Sequence, residues 1–123
     1  MPAVFDHVTL QVADVAASVA FYERLLAPLD IAPGHRDGGA VGFFGPTAGS
    51  FWLCPAERPD DRELHLAFTA ATRDAVHAFF QASASIDAPV IYEPQLFPQY
   101  DERYFAAFVR DPDGHSIEGV CRT

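Results

Sequence analysis

The second half of the chain repeats the first, and no other feature constrains its fold as tightly. HVTLQVADVAASVAFY, from His7, aligns with HLAFTAATRDAVHAFF, from His65, at an offset of 58, pairing Val8 with Leu66, Leu10 with Phe68, Ala17 with Ala75, Ala20 with Ala78 and Phe21 with Phe79. GPTAGSFWLC, from Gly45, aligns with DPDGHSIEGV, from Asp111, at an offset of 66, pairing Pro46 with Pro112, Ser50 with Ser116 and Phe51 with Ile117. The difference between the two offsets places a loop insertion of eight residues in the second half. A duplicated fold gathers equivalent positions around a pseudo-twofold axis, so four strand positions are expected to converge. Three of them carry good metal ligands, His7, His65 and Glu118, and the fourth carries Trp52.

Each half reads as strand, helix, then further strands. In VFDHVTLQV, residues 4–12, Val4, Val8, Leu10 and Val12 share one face and Phe5, His7, Thr9 and Gln11 the other. Asp14 can cap a helix whose apolar positions Val15, Val19, Tyr22, Leu26 and Leu29 step by four or three, a stripe suited to covering the apolar sheet face. GHRDGG, from Gly34, reads as a turn cluster, and AVGFF and SFWLC as strands joined by GPTAG. The acidic ERPDDRE, from Glu57, is the expected link between halves. Beyond it come strand LHLAF, a cap at Thr72, and a helix with Val76, Phe79 and Phe80 inward, which Pro89 would stop if nothing earlier does. VIYEPQLFPQYDER, from Val90, is expected to begin as a short strand and continue as the inserted loop, residues 91–103, which could serve as a lid or cover a dimer edge. RYFAAFVR and HSIEGVC then form a hairpin across Asp111, Pro112, Asp113 and Gly114.

Strand parity provides an independent check. With Arg110 paired to Ser116, Phe108 faces Glu118, and Tyr104, Ala106, Phe108 and Glu118 line one surface, while Phe105, Ala107, Val109, Ile117 and Cys121 make the opposite one apolar enough to take a helix. Glu118 therefore falls among aromatic and small side chains, where an unpaired carboxylate costs several kcal/mol, so it needs a cation or a strong hydrogen-bond donor. His7, and by the repeat His65, falls on the corresponding face.

Composition sets outer bounds. A length of 123 residues, half of them hydrophobic and 13% aromatic, permits a single domain built from two modules, approximately 1–56 and 63–123. A net charge of −9 argues against nucleic acid or an anionic membrane surface as partner. With no basic-then-apolar leader and no apolar stretch long enough to span a bilayer, a cytoplasmic protein is expected. Cys54 and Cys121 lack metal-type spacing and read as buried thiols. His35 and His115 in turns, and His77 on a helix, read as solvated side chains. Arg110 shares parity with Glu118 and could be a substrate anchor or a strand-end charge. No activated serine or cysteine constellation and no phosphate-binding glycine loop is present.

FDHVTLQVADVAASVAFYERLLAP at the start and YFAAFVRDPDGHSIEGV at the end, with the order βαβββ twice, resemble the vicinal oxygen chelate superfamily, which includes glyoxalase I, extradiol dioxygenases and the bleomycin and fosfomycin resistance proteins. The resemblance implies an α+β fold of two tandem βαβββ modules with pseudo-twofold symmetry, forming a curved mixed sheet around a cavity with helices outside. It implies His7, His65 and Glu118 as metal ligands, with Trp52 at or beside the position of a fourth, glutamate, ligand. Two His and one carboxylate suit Fe(II) oxygen chemistry and, with a substrate oxygen, also Mn, Ni or Zn. Two functions stay open. One is a metal-dependent lyase, isomerase or dioxygenase acting on a small oxygenated molecule, although no residue stands out as a general base. The other is a metal-free binding protein that sequesters an apolar or aromatic compound against Trp52, Tyr100, Tyr104 and Phe108. A homodimer is expected on either reading.

Overall fold

The computed structural model describes residues 6–46, 49–56 and 64–123. Val4 and Phe5, part of the GPTAG connection and all of the acidic link, residues 57–63, lie outside the described residues. The chain forms two compact units, Met1–Asp61 and Arg62–Thr123. The first contains β1 (His7–Val12), α1 (Val15–Leu26), a 3-10 turn (Ala27–Leu29), β2 (Ala32–Asp37), β3 (Ala40–Phe44) and β4 (Ser50–Pro55). The second contains β5 (His65–Thr69), α2 (Arg73–Ser85), β6 (Val90–Leu96), β7 (Phe105–Arg110) and β8 (Ser116–Cys121). Each is a βαβββ module with its own four-stranded mixed sheet, in the orders β1-β4-β3-β2 and β5-β8-β7-β6. The expected α+β architecture and its duplication are both present.

The two sheets share one register. His7 lies opposite Ser50 and Thr9 opposite Trp52 in the parallel β1–β4 pair. His65 lies opposite Ser116 and Ala67 opposite Glu118 in the parallel β5–β8 pair. The antiparallel neighbours match too: Gly42 faces Trp52 and Phe108 faces Glu118. Trp52 and Glu118 are therefore structural equivalents, and Arg110 pairs with Ser116 as parity requires.

Local chemistry explains the elements. Asp14 and Thr72 cap α1 and α2, each side chain accepting the backbone N–H of the third residue on, Ala17 and Ala75. Val19, Tyr22, Leu25 and Leu26 of α1 are buried, and the Tyr22 ring meets that of Phe51 on β4 edge-on at 5.1 Å. In α2, Val76 and Phe79 are buried and Phe80 is half-buried. Phe79 lies where a side chain at Gly119 would project, 3.0 Å from a Cβ built there. The hairpin turn places Gly114 at φ +84°, the left-handed conformation its glycine supplies.

Two expectations need correction. GHRDGG is not a turn throughout: residues 34–37 belong to edge strand β2, and only Gly38 and Gly39 turn the chain, with Gly38 at φ +60°. Residues 91–96 are strand rather than loop. β6 is an edge strand with two irregularities in register, so Pro94, which has no N–H to donate, is tolerated there. Helix α2 stops ahead of Pro89, as the sequence allowed, with Asp87 at a left-handed φ of 55° just after its end.

Candidate functional site

β5, β8 and Tyr104, the residue just before β7, present one connected chain of polar side chains in the second unit. Glu118, at the middle of β8, is only 1% exposed. Its Oε1 lies 2.9 Å from Nε2 of His65, and its Oε2 accepts the hydroxyl of Tyr104. Nδ1 of His65 lies 2.8 Å from Oγ of Ser116. A carboxylate oxygen can only accept, so Nε2 of His65 carries the hydrogen; in the neutral ring Nδ1 then accepts the Ser116 hydroxyl. The order is Ser116 to His65 to Glu118, with Tyr104 donating from the other side. Burial, followed by the hydrogen bond to Glu118 and that carboxylate's charge, pushes the Tyr104 hydroxyl well above the ordinary phenol range, so it stays a donor.

Aromatic side chains wall this group. The His65 ring stacks on Phe108 at 5.6 Å, and Tyr92 and Phe97 meet Phe108 edge-on at 5.6 and 5.2 Å. Phe97, Tyr104, Ala106, Phe108 and Val120 pack together as an apolar floor, with Ile91 against it. Above lies a cavity of about 590 Å³, bordered by His65, Tyr92, Tyr100, Tyr104, Phe108 and Glu118, with Ser116, Arg110, Arg122 and Ile91 completing the lining. Its mix of aromatic walls and a few convergent polar groups is that of a small-molecule site.

Four residues expected at a site thus come together in one unit: His65 and Glu118 as the polar pair, Tyr104 and Phe108 beside them. Tyr100 lines the same cavity, although it is 64% exposed and rests on Phe97. His7 and Trp52 belong to the first unit. Nδ1 of His7 lies 2.8 Å from Oδ1 of Asp6 at an exposed position. Trp52 is half-buried, and its indole N–H donates to Oγ of Ser50 at 2.9 Å. The ring covers Gly42, where a Cβ would stand 2.8 Å from it, and the rings of Phe44 and His35 flank it at 6.0 and 6.1 Å. Among the described residues, no group of three or more His, Cys, Asp or Glu is assembled to hold a metal.

His115 corrects the sequence reading most sharply. It is buried rather than solvated, and its Nδ1 accepts the backbone N–H of Leu64 at 2.9 Å, next to His65. Its own N–H donates to Oδ1 of Asp111. His35 lies on β2 beside Trp52 rather than in a turn, while His77 is exposed on α2 as expected. Arg110 donates to the Gly114 carbonyl at 2.8 Å, so it braces the hairpin as well as lining the cavity. Sequence reasoning did not assign roles to Ser116 or Arg122. The match of Ser50 with Ser116 in the repeat was the one available signal for the first.

The family model for the glyoxalase/bleomycin resistance protein/dioxygenase superfamily matches residues 4–118. The chain belongs to that superfamily. Among solved structures, the glyoxalase-superfamily fold recurs in a glyoxalase/bleomycin resistance protein from Albidiferax ferrireducens T118, with a TM-score of 0.85, 27% identity, and 98% of this chain and 100% of that one covered. Lactoylglutathione lyase from Agrobacterium tumefaciens has a TM-score of 0.73 at 19% identity, covering 98% and 94%. Oxidase ChaP-H2 has a TM-score of 0.74 at 19% identity, covering 100% and 96%. At those identities the last two share the glyoxalase-superfamily fold alone. No curated protein matches this sequence. No helix among the described residues is long and apolar enough to cross a membrane.

Proposed function

We propose that this superfamily member is a divalent-metal-dependent enzyme, a lyase, isomerase or dioxygenase, acting on a small oxygenated organic molecule in the second-unit cavity. The observation that carries this reading is the convergence of Nε2 of His65 and Oε1 of Glu118, 2.9 Å apart beside an aromatic-walled cavity. Two donors at adjacent positions on one cation, each bonded at about 2.0–2.2 Å, stand about 3 Å apart, so the pair fits as two ligands of a single ion. The repeat nominates His7 as a further ligand. A bound divalent ion would supply Lewis acidity toward substrate oxygens, with Fe, Mn, Ni and Zn all compatible with imidazole and carboxylate donors.

The chain's own residues have separable tasks. Ser116 fixes the orientation of the His65 ring through Nδ1. Tyr104 holds the second carboxylate oxygen of Glu118 and so fixes the direction of the first. Tyr92, Tyr100 and Phe108 exclude water and offer flat faces to a planar substrate. Metal analysis of protein purified without chelators is the test. About one equivalent per site is expected, lost in His65→Ala and in Glu118→Ala, with His7→Ala testing the nominated ligand. Less than about a tenth of an equivalent, with no uptake of added Fe(II), Mn, Ni or Zn, overturns the reading.

One observation favours a second function, metal-free binding of an aromatic compound. Both oxygens of Glu118 already have donors, from His65 and Tyr104, so the buried carboxylate is satisfied without a cation. Affinity for aromatic ligands that is identical before and after chelation, in protein that takes up no metal, would establish it. We also propose a homodimer, since Val90, Tyr92 and Leu96 leave apolar surface on edge strand β6. A monomeric mass by light scattering contradicts that.

A further inference from the structure

The cavity is electropositive in an acidic protein. The sequence has 8 Lys and Arg against 17 Asp and Glu, yet Arg110 and Arg122 both border the cavity and Glu118 is the only carboxylate among the described residues that line it. That carboxylate is already engaged by His65 and Tyr104. In the β7–β8 ladder Arg110 pairs with Ser116 and Phe108 with Glu118, and Arg122 follows directly after the end of β8 at Cys121. Both cations thus border the same cavity as the polar chain.

They are not equivalent. Arg110 donates to the Gly114 carbonyl and braces its own turn. Arg122 sits over the face of Tyr104, its Cζ 4.8 Å from the ring centroid, and it forms no ion pair with another described residue. A cation–π contact draws on the guanidinium's charge and leaves its N–H fork for a planar, bidentate acceptor. Tyr104 thereby holds the guanidinium at the rim while donating to Glu118 with its hydroxyl, linking the cation to the polar chain through one ring.

We infer that the ligand of this cavity is an aromatic carboxylic acid, its carboxylate held by Arg122 and its ring lying against Phe108 and Tyr92. The inference rests on the proposed function only in taking this cavity as the site. A carboxylate matches the guanidinium fork in geometry as well as in charge, which a lone oxygen substituent does not.

Calorimetric titration of the full-length protein with benzoate and with benzamide, which share a ring and a shape but differ in charge, tests this directly. Benzoate is expected to bind at least about tenfold more tightly than benzamide, and the preference is expected to weaken with added salt. Arg122→Met should abolish the preference while retaining benzamide binding, which shows that the cavity is intact, and Arg122→Lys should restore part of it. Equal affinities for the two compounds, a preference unchanged in both Arg122→Met and Arg122→Gln, or no binding of either compound overturns the inference. Running each titration on chelated and on metal-loaded protein separates this from the metal reading. Charge preference without metal uptake leaves the inference standing and removes the metal, whereas metal uptake without charge preference does the reverse.

Discussion

In the first unit the serine at the head of the last strand bonds an indole, and in the second it bonds an imidazole. Ser50 accepts from Trp52, whereas Ser116 pairs with His65. The backbone is the same in both, with His7 opposite Ser50 and His65 opposite Ser116. One position, two residues along, decides the outcome. Where it is Glu118, the histidine turns inward to the carboxylate; where it is Trp52, the histidine pairs with its exposed neighbour Asp6. Side-chain size compensates across the ladder, since bulky Trp52 faces Gly42 while Glu118 faces Phe108. A duplicated framework has thus kept its register while one module holds the polar chain and the other an aromatic slab.

The largest expected effect breaks that asymmetry. Glu118→Ala should lower divalent-metal affinity by on the order of a hundredfold or more, measured by competition with a chelating dye, because it removes a proposed ligand and unpairs Tyr104 and His65. Trp52→Ala should leave the affinity within about threefold. Comparable losses in both would show that the two modules are not functionally distinct.

The glycines rank next. Gly119→Ala places a Cβ 3.0 Å from two ring carbons of Phe79, which is fully buried and has nowhere to go, so a loss of about 1–3 kcal/mol in urea unfolding is expected. Gly42→Ala meets the outer ring of half-buried Trp52, which can swing outward. That variant should lose less, about 1 kcal/mol, and shift the emission of the lone tryptophan as its bond to Ser50 is lost. A larger loss at Gly42 than at Gly119 would mean that the Trp52 face is as rigid as the core. The serines are expected to separate in the same way: Ser116→Ala weakens metal binding about tenfold by freeing His65, and Ser50→Ala leaves it unchanged while altering Trp52 fluorescence.

What the sequence foretold follows from how strictly each element repeats its pattern. The period-two alternation of β7 and β8, pinned by the Asp111–Gly114 turn, allows only one face for Glu118, and the paired offsets align it with Trp52. The caps at Asp14 and Thr72 are local chemistry and were legible for that reason. The outer strands β2 and β6 were less so, because a strand with a single neighbour need not alternate and can carry Pro94 or Gly34 without losing a ladder bond. His115 read as a surface residue because its partner, the Leu64 N–H, is 51 positions away in the chain. Ser116 was noticed as a repeat match, but its role depends on where the His65 ring turns, and Arg122 lies beyond the last strand, where no periodicity marks it.

The smallest effect concerns a proton that only the second unit holds in this way. At the offset of 66 the first unit has Gly38 where the second has Tyr104, so the raised phenol has no counterpart there. Below about pH 10, the ordinary phenol value, Tyr104 is protonated in both folded and unfolded chains, and its hydrogen bond to Glu118 contributes a constant stability. Above that pH the unfolded chain releases the proton while the folded protein, with its phenol shifted upward, retains it. The unfolded state then binds fewer protons, so stability falls as pH rises, and a single proton limits the slope to about 1.4 kcal/mol per pH unit. Tyr104→Phe lacks this contribution, whereas Tyr22, Tyr92 and Tyr100 are common to both proteins and cancel. The stability advantage of the wild type over Tyr104→Phe is therefore expected to be flat up to about pH 10 and to narrow above it, as read from urea midpoints. Parallel pH profiles for the two proteins would show that the Tyr104 proton is not held by Glu118, and would remove the link through which that ring joins Arg122 to the polar chain.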